Sequence, residues 1–154
     1  MYYSLLHPDV YDESTDDIFY PAMLLMVFSY YDSFITRFEK DEKIKKDKDD
    51  KRSIVELIFA GRDKQLSPRG YEALKWIQKL KLLRNNVTHN NEGTHRNEED
   101  IRELCNDNEE ISFNDNSISI SGPKLILKTL EEEYIILLEL CEILGYKKMR
   151  YPTS

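Results

Sequence analysis

The sequence predicts a mainly α-helical fold: an up-and-down helical bundle with an inserted β-hairpin. Three long stretches place apolar residues at steps of three and four, which is the period of an amphipathic helix. One short stretch instead alternates apolar and polar residues around a polar turn, which predicts a hairpin. A chain of 154 residues, 40% of them hydrophobic and 33% charged, suits one helix-rich domain spanning residues 1–154.

The first long helix is predicted to run from about Ile18 or Pro21 to about Lys40, with Pro21 in its first turn. It follows an N-terminal segment, residues 1–17, and leads into a charged loop, residues 39–52. Its apolar residues cover more than one stripe, so we expect it to be central or shared with another subunit. The core stripe is Leu24, Phe28, Tyr31, Ile35 and Phe38, and Met23, Met26, Val27, Tyr30 and Phe34 widen it.

A short helix, Ile54–Ala60, is predicted next, with Ser53 as its N-cap and Gly61 as its stop. Ser67-Pro68 opens the second long helix. An inward stripe of Ala73, Ile77, Leu80, Leu83 and Val87 predicts that Arg84 points away from the core.

The remaining elements are a short helix from Glu98 to Leu104, the hairpin, the last helix and a loose tail. The hairpin is expected within residues 110–121, where Ile111 and Phe113 alternate before the turn and Ile118 and Ile120 after it. The last helix is predicted from Lys124 to Leu144, with Gly145 as its stop and residues 146–154 as the tail. We expect its core to be Leu127, Leu130, Tyr134, Leu137, Leu138, Cys141 and Leu144, with Glu131–Glu133 solvated.

The charge distribution is uneven. A net charge of −7 argues against a general nucleic-acid binder. Between residues 62 and 89, however, the sequence contains seven basic residues and only two acidic ones. Such a strip is compatible with RNA binding, although solvated lysines on a helix face are the commoner reason for it. The basic residues are Arg62, Lys64, Arg69, Lys75, Lys79, Lys81 and Arg84.

Several classes are disfavoured by composition. Cys105 and Cys141 form no zinc pattern, and a buried thiol is the expected state of Cys141 rather than a disulfide. We find no metal cluster, no cofactor-binding motif, no signal peptide and no apolar run expected to span a membrane. The sequence therefore predicts a cytoplasmic protein without a metal or cofactor.

The end of the second long helix holds the residues best suited to chemistry. Arg84 offers a fork of donors for a phosphate, and His89 can take and return a proton near neutral pH. Asn85, four residues before His89, would share its helix face and could orient the imidazole. The alternative is an ordinary helix C-terminus, in which Asn terminates the helix and Arg and His complement its dipole.

Arg84, Asn85 and His89 match the Arg-Asn-x-x-x-His pattern of the HEPN superfamily, and the helix order resembles a HEPN-like bundle. The resemblance implies a metal-independent endoribonuclease of toxin or defence type. It also implies a homodimer whose motifs meet in one cleft. It further raises an antitoxin or a nucleotidyltransferase as a partner, the latter for HEPN-like domains that bind without catalysing.

Chemical reasoning on the same residues gives a mechanism. Arg84 and His89 lie about 140° apart on an ideal helix, so they converge only if the helix loosens or a second copy contributes. His89 would move protons, Arg84 would stabilise charge on phosphate, and Asn85 would fix the imidazole or touch the phosphate.

Lys79 and Lys81 are expected to contact the RNA backbone. His95 is either a second proton-transfer group or an exposed loop residue. Two alternatives to a ribonuclease are a non-catalytic binding module and a helical interaction protein in which the motif is accidental.

Overall fold

The computed structural model describes residues 13–88, 98–114 and 117–146. Within these ranges the chain forms five helices and one two-stranded sheet, which confirms the mainly α class. The elements are α1 (Glu13–Asp41), α2 (Ile54–Ala60), α3 (Pro68–Thr88), α4 (Glu98–Asp107), β1 (Ile111–Asn114), β2 (Ser117–Ile120) and α5 (Lys124–Ile143).

The described residues fall into two compact units. Unit 1 comprises those within Met1–Phe28 and Gln78–Leu130, and unit 2 those within Ser29–Ile77 and Glu131–Ser154. Helices α1, α3 and α5 each contribute residues to both units. The assignment of residues 1–154 to one domain stays a prediction.

In unit 1, α4 and the hairpin bury a shared apolar surface. Strands β1 and β2 pair antiparallel with Ile111 opposite Ile120, which confirms the predicted hairpin. Ile111 and Ile120 are buried, as are Ile101 and Leu104 of α4, and α4 contacts β1. A two-stranded hairpin is marginally stable alone, so this helix supplies the apolar partner that it needs.

Glu110, the residue before β1, accepts a hydrogen bond from the first turn of α5. The Glu110 carboxylate accepts a hydrogen bond from the backbone N–H of Leu125 at 2.9 Å. The backbone carbonyl of Glu110 accepts a second one from Ser121 N–H at 2.8 Å. Gly122 is buried against Glu110, and a Cβ there would collide with the carboxylate. Glycine at 122 therefore permits the contact that satisfies a free N–H at the start of α5.

In unit 2, α2 is delimited as the sequence predicts. Ser53 accepts from Glu56 N–H at 3.2 Å, and Ser53 N–H donates to the Glu56 carboxylate at 2.7 Å, which forms a capping box. Gly61 follows α2 but keeps a right-handed conformation, and the left-handed residue of the turn is Asp63 at φ 51°. Gly61 therefore ends the helix without the left-handed geometry typical of a terminal glycine.

The start of α3 is tied to α5 within unit 2. The Glu139 carboxylate accepts hydrogen bonds from Ser67 N–H at 2.8 Å and Ser67 O–H at 2.9 Å. The Ser67 hydroxyl in turn accepts from Gly70 N–H at 2.9 Å, so it serves as the N-cap of α3. A Cβ on buried Gly70 would meet the Glu139 carboxylate and a methyl group of Leu66, so a larger residue there requires these side chains to shift.

A second carboxylate of α5 reaches the first turn of α3. Both terminal nitrogens of Arg69 donate to Glu132, each at 2.6 Å. Glu132 is only 6% exposed, whereas the Arg69 side chain is half-exposed. Hydrogen bonding to Glu132 raises the pKa of Arg69 above its ordinary value. The fork-to-fork geometry compensates for the burial of the Glu132 charge.

Helix α1 begins earlier than predicted. It starts at Glu13, so Pro21 lies inside the helix instead of in its first turn. The predicted stripe is confirmed at Leu24, Phe28, Tyr31 and Phe38, all of which are buried. The N-terminal segment up to residue 12 and the tail from residue 147 lie outside the described residues. The charged segment leaves the helix after Asp41 and continues in turns, as predicted for a loop.

Helix α1 contradicts the expectation that no apolar run could span a membrane. Its segment Ile18–Asp41 is long enough to cross a membrane, and its most apolar window has a mean hydropathy of 1.3. The expectation that no run has that length and apolarity was therefore wrong. Core helices and signal sequences share both properties, so the segment is weak evidence for a membrane span.

Helix α5 buries a different face from the one predicted. Leu127 and Tyr134 are 61% and 62% exposed, whereas Glu132 and Glu133 are only 6% and 4% exposed. The predicted core stripe and the predicted solvated face were thus wrong, except at exposed Glu131. The buried positions are Leu125, Ile126, Thr129, Glu132, Glu133, Ile136 and Leu140.

Replacing Arg69 tests the role of the buried carboxylate. We expect Arg69→Met to lower the free energy of unfolding clearly more than the loss of an exposed ion pair does, because Glu132 loses its donors while it stays buried. Arg37→Met is the matched control, since Arg37 and Asp41 are both exposed and 3.9 Å apart, and it should cost less than about 0.5 kcal/mol. Urea denaturation measures both, and equal effects would contradict this role for Arg69.

Candidate active site

The candidate site lies at the end of α3. Ala73, Ile77, Leu80 and Leu83 are all buried, which confirms the predicted inward stripe at four of its five positions. The side chain of Val87 lies outside the described residues. Helix α3 continues to Thr88, so Arg84 and Asn85 occupy its last turns.

Arg84 lies against the core. Its side chain is half-buried, and its guanidinium carbon is 5.4 Å from the ring centroid of Phe28, a fully buried residue of α1 in the same unit. The prediction that Arg84 points away from the core is therefore wrong. A cation over an aromatic face is attracted by the ring quadrupole, which holds the guanidinium in one place.

Asn85 continues this arrangement towards solvent. It is exposed, and its Oδ1 accepts hydrogen bonds from Arg84 Nε and Nη2, each at 3.3 Å. The structure thus brings together Arg84 and Asn85, two of the three predicted catalytic residues. His89, the third, lies outside the described residues, as does His95.

The two lysines predicted to contact RNA have different surroundings. Lys79 Nζ lies 3.7 Å from the Glu103 carboxylate, and both side chains are about half-exposed. Lys81 is half-buried. An exposed pair at such a distance is weak, so Lys79 keeps the ability to exchange Glu103 for a phosphate.

The basic strip is partly neutralised by acidic partners. Arg62 pairs with Glu42 at 2.8 Å, Arg69 with Glu132 at 2.6 Å and Lys79 with Glu103 at 3.7 Å. Three of the seven basic residues between 62 and 89 therefore have carboxylates beside them. The positive field expected from sequence counting is correspondingly reduced.

Burial raises the pKa values of Tyr31 and Cys105 above their ordinary values. Burial, followed by the charges of Glu133 and Asp32, raises the pKa of Tyr31 above its ordinary value, so its phenol stays protonated. Cys105 and Cys141 are free and half-buried, and desolvation raises the pKa of the Cys105 thiol. Cys105 thus lacks the activated thiolate that a nucleophile requires.

Residues 13–88, 98–114 and 117–146 contain no group of three or more His, Cys, Asp or Glu residues placed to hold a metal ion. An open cavity of about 430 Å³ lies in unit 2. Its charged lining residues balance, with Arg52 and Lys64 against Glu56 and Asp63, and it includes none of the predicted catalytic residues.

Sequence reasoning missed Phe28 as a partner of Arg84. Phe28 appears in the sequence as one member of a core stripe, and nothing in its spacing indicates a cation above its ring. It also missed the buried pair Glu132 and Glu133, although both fall on the period of the buried residues of α5. No protein-family model, curated protein or solved structure matches this chain.

Replacing Phe28 tests whether its ring holds Arg84. We expect Phe28→Leu to lower the free energy of unfolding by about 1 kcal/mol, since the change keeps most of the apolar volume. We also expect faster motion at Arg84 Nε, measured by ¹⁵N relaxation. Phe59→Leu, which changes a buried ring of unit 2, should destabilise the protein without altering Arg84 motion. Unchanged Arg84 relaxation in Phe28→Leu would show that the ring does not hold the guanidinium.

Proposed function

We propose that this protein is a metal-independent endoribonuclease of HEPN type, with the up-and-down bundle of that superfamily and a toxin or defence role in the cytoplasm. It cleaves RNA by attack of a 2′-hydroxyl on the adjacent phosphorus, leaving a 2′,3′-cyclic phosphate. The observation that carries the proposal is the placement of Arg84. Its guanidinium is held over Phe28 and bonded to Asn85 in the last turns of α3, and His89 follows that helix by one residue.

Arg84 is the electrostatic component. As phosphorus becomes five-coordinate, negative charge grows on its non-bridging oxygens, and a planar fork of donors stabilises that charge. The contact with Phe28 lowers the entropy that Arg84 must lose when it engages the phosphate. Asn85 accepts from Arg84 through Oδ1, so its amide NH₂ group is the end that donates to the phosphate or to the imidazole.

His89 is the proton-transfer component. Its unperturbed pKa lies near neutrality, so one form accepts the 2′-hydroxyl proton and the other protonates the departing 5′-oxygen. One imidazole cannot serve as base and acid in a single concerted step. A homodimer with two-fold symmetry supplies a second His89 and a second Arg84, which is the composite site that the proposal requires.

The net negative charge of the protein limits the number of RNA phosphates that it binds. With a net charge of −7 and several paired cations, few phosphates are engaged, so binding should depend only weakly on salt. Lys79 and Lys81 are the proposed backbone contacts beside the motif. RNA specificity then rests on shape at the cleft more than on a broad basic surface.

A second candidate function is a non-catalytic HEPN-like module that binds a nucleotidyltransferase, an antitoxin or another protein. The observation favouring it is the pairing of Arg62, Arg69 and Lys79 with carboxylates, which reduces the positive field offered to RNA. On this alternative, changes at Arg84 and His89 alter a protein complex and no RNA is cleaved.

A variant series tests the ribonuclease directly. In EDTA-containing buffer, we expect His89→Ala to reduce the single-turnover cleavage rate of an RNA by about 10²–10⁴-fold through loss of proton transfer. Arg84→Ala should reduce it by about 10²–10³-fold through loss of charge stabilisation. Labelled RNA resolved on denaturing gels gives the rates.

His7→Ala is the matched control, because it removes an imidazole that lies 82 positions before His89 in the sequence and outside the motif. Its cleavage rate should equal that of the wild type, and all variants should show wild-type circular dichroism and melting temperature. Cleavage that survives His89→Ala, or a wild-type protein that cleaves no RNA, would overturn the proposed activity.

A further inference from the structure

The cavity of unit 2 is lined by α2, by the turn that joins α2 to α3 and by the first turn of α3. Its volume of about 430 Å³ falls within the roughly 300–1,000 Å³ of small-molecule sites. All of its lining residues belong to unit 2. Buried Phe59 and Leu66 contribute apolar surface, and exposed Tyr71 adds an aromatic ring. The polar lining residues are Arg52, Glu56, Asp63, Lys64 and Gln65.

Two of the four charged groups around the cavity already have partners. The Arg52 guanidinium donates to the Asp50 carboxylate at 2.8 and 3.1 Å. The Glu56 carboxylate accepts from the N–H and O–H groups of Ser53 at 2.7 and 2.9 Å, as part of the capping box of α2. A ligand could engage either group fully only by breaking these bonds.

The other two charged groups, Asp63 and Lys64, are adjacent in the turn. Across the described ranges of the chain, neither side chain makes a hydrogen bond or an ion pair. The cavity therefore offers one carboxylate and one ammonium group beside apolar surface. A ligand of a single charge sign would bring a like charge against one of them, whereas a zwitterion matches both.

The backbone at Asp63 supports a role for its carboxylate. Its φ is 51°, in the left-handed region that disfavours residues other than glycine. Gly61, two positions earlier, keeps a right-handed conformation instead. Aspartate enters the left-handed region where its side chain bonds locally, and the Asp63 carboxylate makes no such bond within the described residues. Strained residues of this kind cluster at binding sites.

Two backbone donors follow Lys64 along the cavity wall. The N–H groups of Gln65 and Leu66 have no acceptor within the part of the chain that the structure describes. Leu66 is 4% exposed, and backbone N–H groups of buried residues are rarely left without an acceptor. A cation next to unpaired N–H groups is the arrangement that binds a carboxylate.

We propose that this cavity binds a zwitterion of amino-acid type. Its ammonium group contacts Asp63, its carboxylate contacts Lys64 and the two N–H groups that follow, and its apolar side chain packs on Tyr71. Free amino acids and the ends of short peptides share this chemistry. The proposal goes beyond ribonuclease activity, because none of these residues has a part in the proposed cleavage.

The first experiment compares three probes that share a phenyl ring and differ in charge. L-phenylalanine carries both charges, 2-phenylethylamine lacks the carboxylate and 3-phenylpropanoate lacks the ammonium group. In a ¹H–¹⁵N NMR titration of the full chain, L-phenylalanine should give saturating shifts, largest at Asp63–Leu66, with a Kd of about 1 mM or tighter. Each analogue with one charge should bind at least about 10-fold more weakly, because it leaves one protein charge unmatched.

Two variants assign the charges to their partners. Asp63→Asn keeps a residue that adopts positive φ readily, and it should abolish the preference for L-phenylalanine over 3-phenylpropanoate. Lys64→Met should abolish the preference over 2-phenylethylamine. A purely structural role for either residue would weaken all three probes alike. Lys75→Met, which removes an exposed lysine of unit 2 outside the cavity, is the matched control and should keep both preferences.

The dipeptide Phe-Gly distinguishes the two sources of the zwitterion. Tighter binding of Phe-Gly than of L-phenylalanine assigns the cavity to a peptide end, and the reverse order assigns it to a free amino acid. If neither compound saturates the shifts by about 10 mM, the proposal is overturned. It is also overturned if an analogue with one charge binds the wild type as tightly as L-phenylalanine does.

Discussion

The pairing of two glutamates of α5 with the start of α3 is the constraint on which much of the structure depends. Glu139 holds the cap of α3 through Ser67, and Glu132 holds Arg69 in its first turn. Glu132 is buried whereas Glu139 is half-buried. A buried carboxylate is costly unless it is hydrogen-bonded, so Glu132 requires its contact with Arg69 once this face of α5 turns inward. Both contacts lie at the start of α3. They fix where α3 begins, and α3 carries the residues on which any chemistry here depends.

The same constraint explains which parts of the fold were predictable. The Ser53 cap of α2, the alternation around the hairpin and the stripe of α3 are local patterns. The cap and the hairpin formed as expected, and the stripe did so at its four described positions. Helix α5 offered two competing faces, and a Leu-rich row normally marks the core. The inward face includes Glu132, whose burial depends on an Arg residue 63 positions away. No local pattern contains that pairing, so the prediction of the face failed.

The candidate site shows a similar division. The sequence placed Arg84 and Asn85 at a helix end and predicted that Asn85 orients His89. In the structure Asn85 is hydrogen-bonded to Arg84. The sequence did not indicate that the ring of Phe28 lies beneath the guanidinium, because that contact joins α1 to α3 across 56 residues. The helix period gives the direction in which Arg84 leaves the backbone, but its long side chain bends back to the core through a contact that only the tertiary structure supplies.

The proposed chemistry depends on a second copy of the chain. Two imidazoles are needed for concerted acid–base catalysis, and a second copy of the chain is the simplest source of the second one. An acidic protein that engages few phosphates also gains from presenting two Arg84 side chains to one RNA.

The most direct measurement of the central claim is cleavage, in EDTA, of an RNA carrying a single 2′-deoxynucleotide at its mapped cleavage position. The account predicts that the deoxy substrate is intact there, because the nucleophile has been removed. It also predicts that the 5′ fragment of the unmodified RNA ends in a 2′,3′-cyclic phosphate by mass spectrometry. Cleavage at the deoxy position, or a 5′ fragment ending in a 3′-hydroxyl, would contradict 2′-hydroxyl attack promoted by Arg84 and His89.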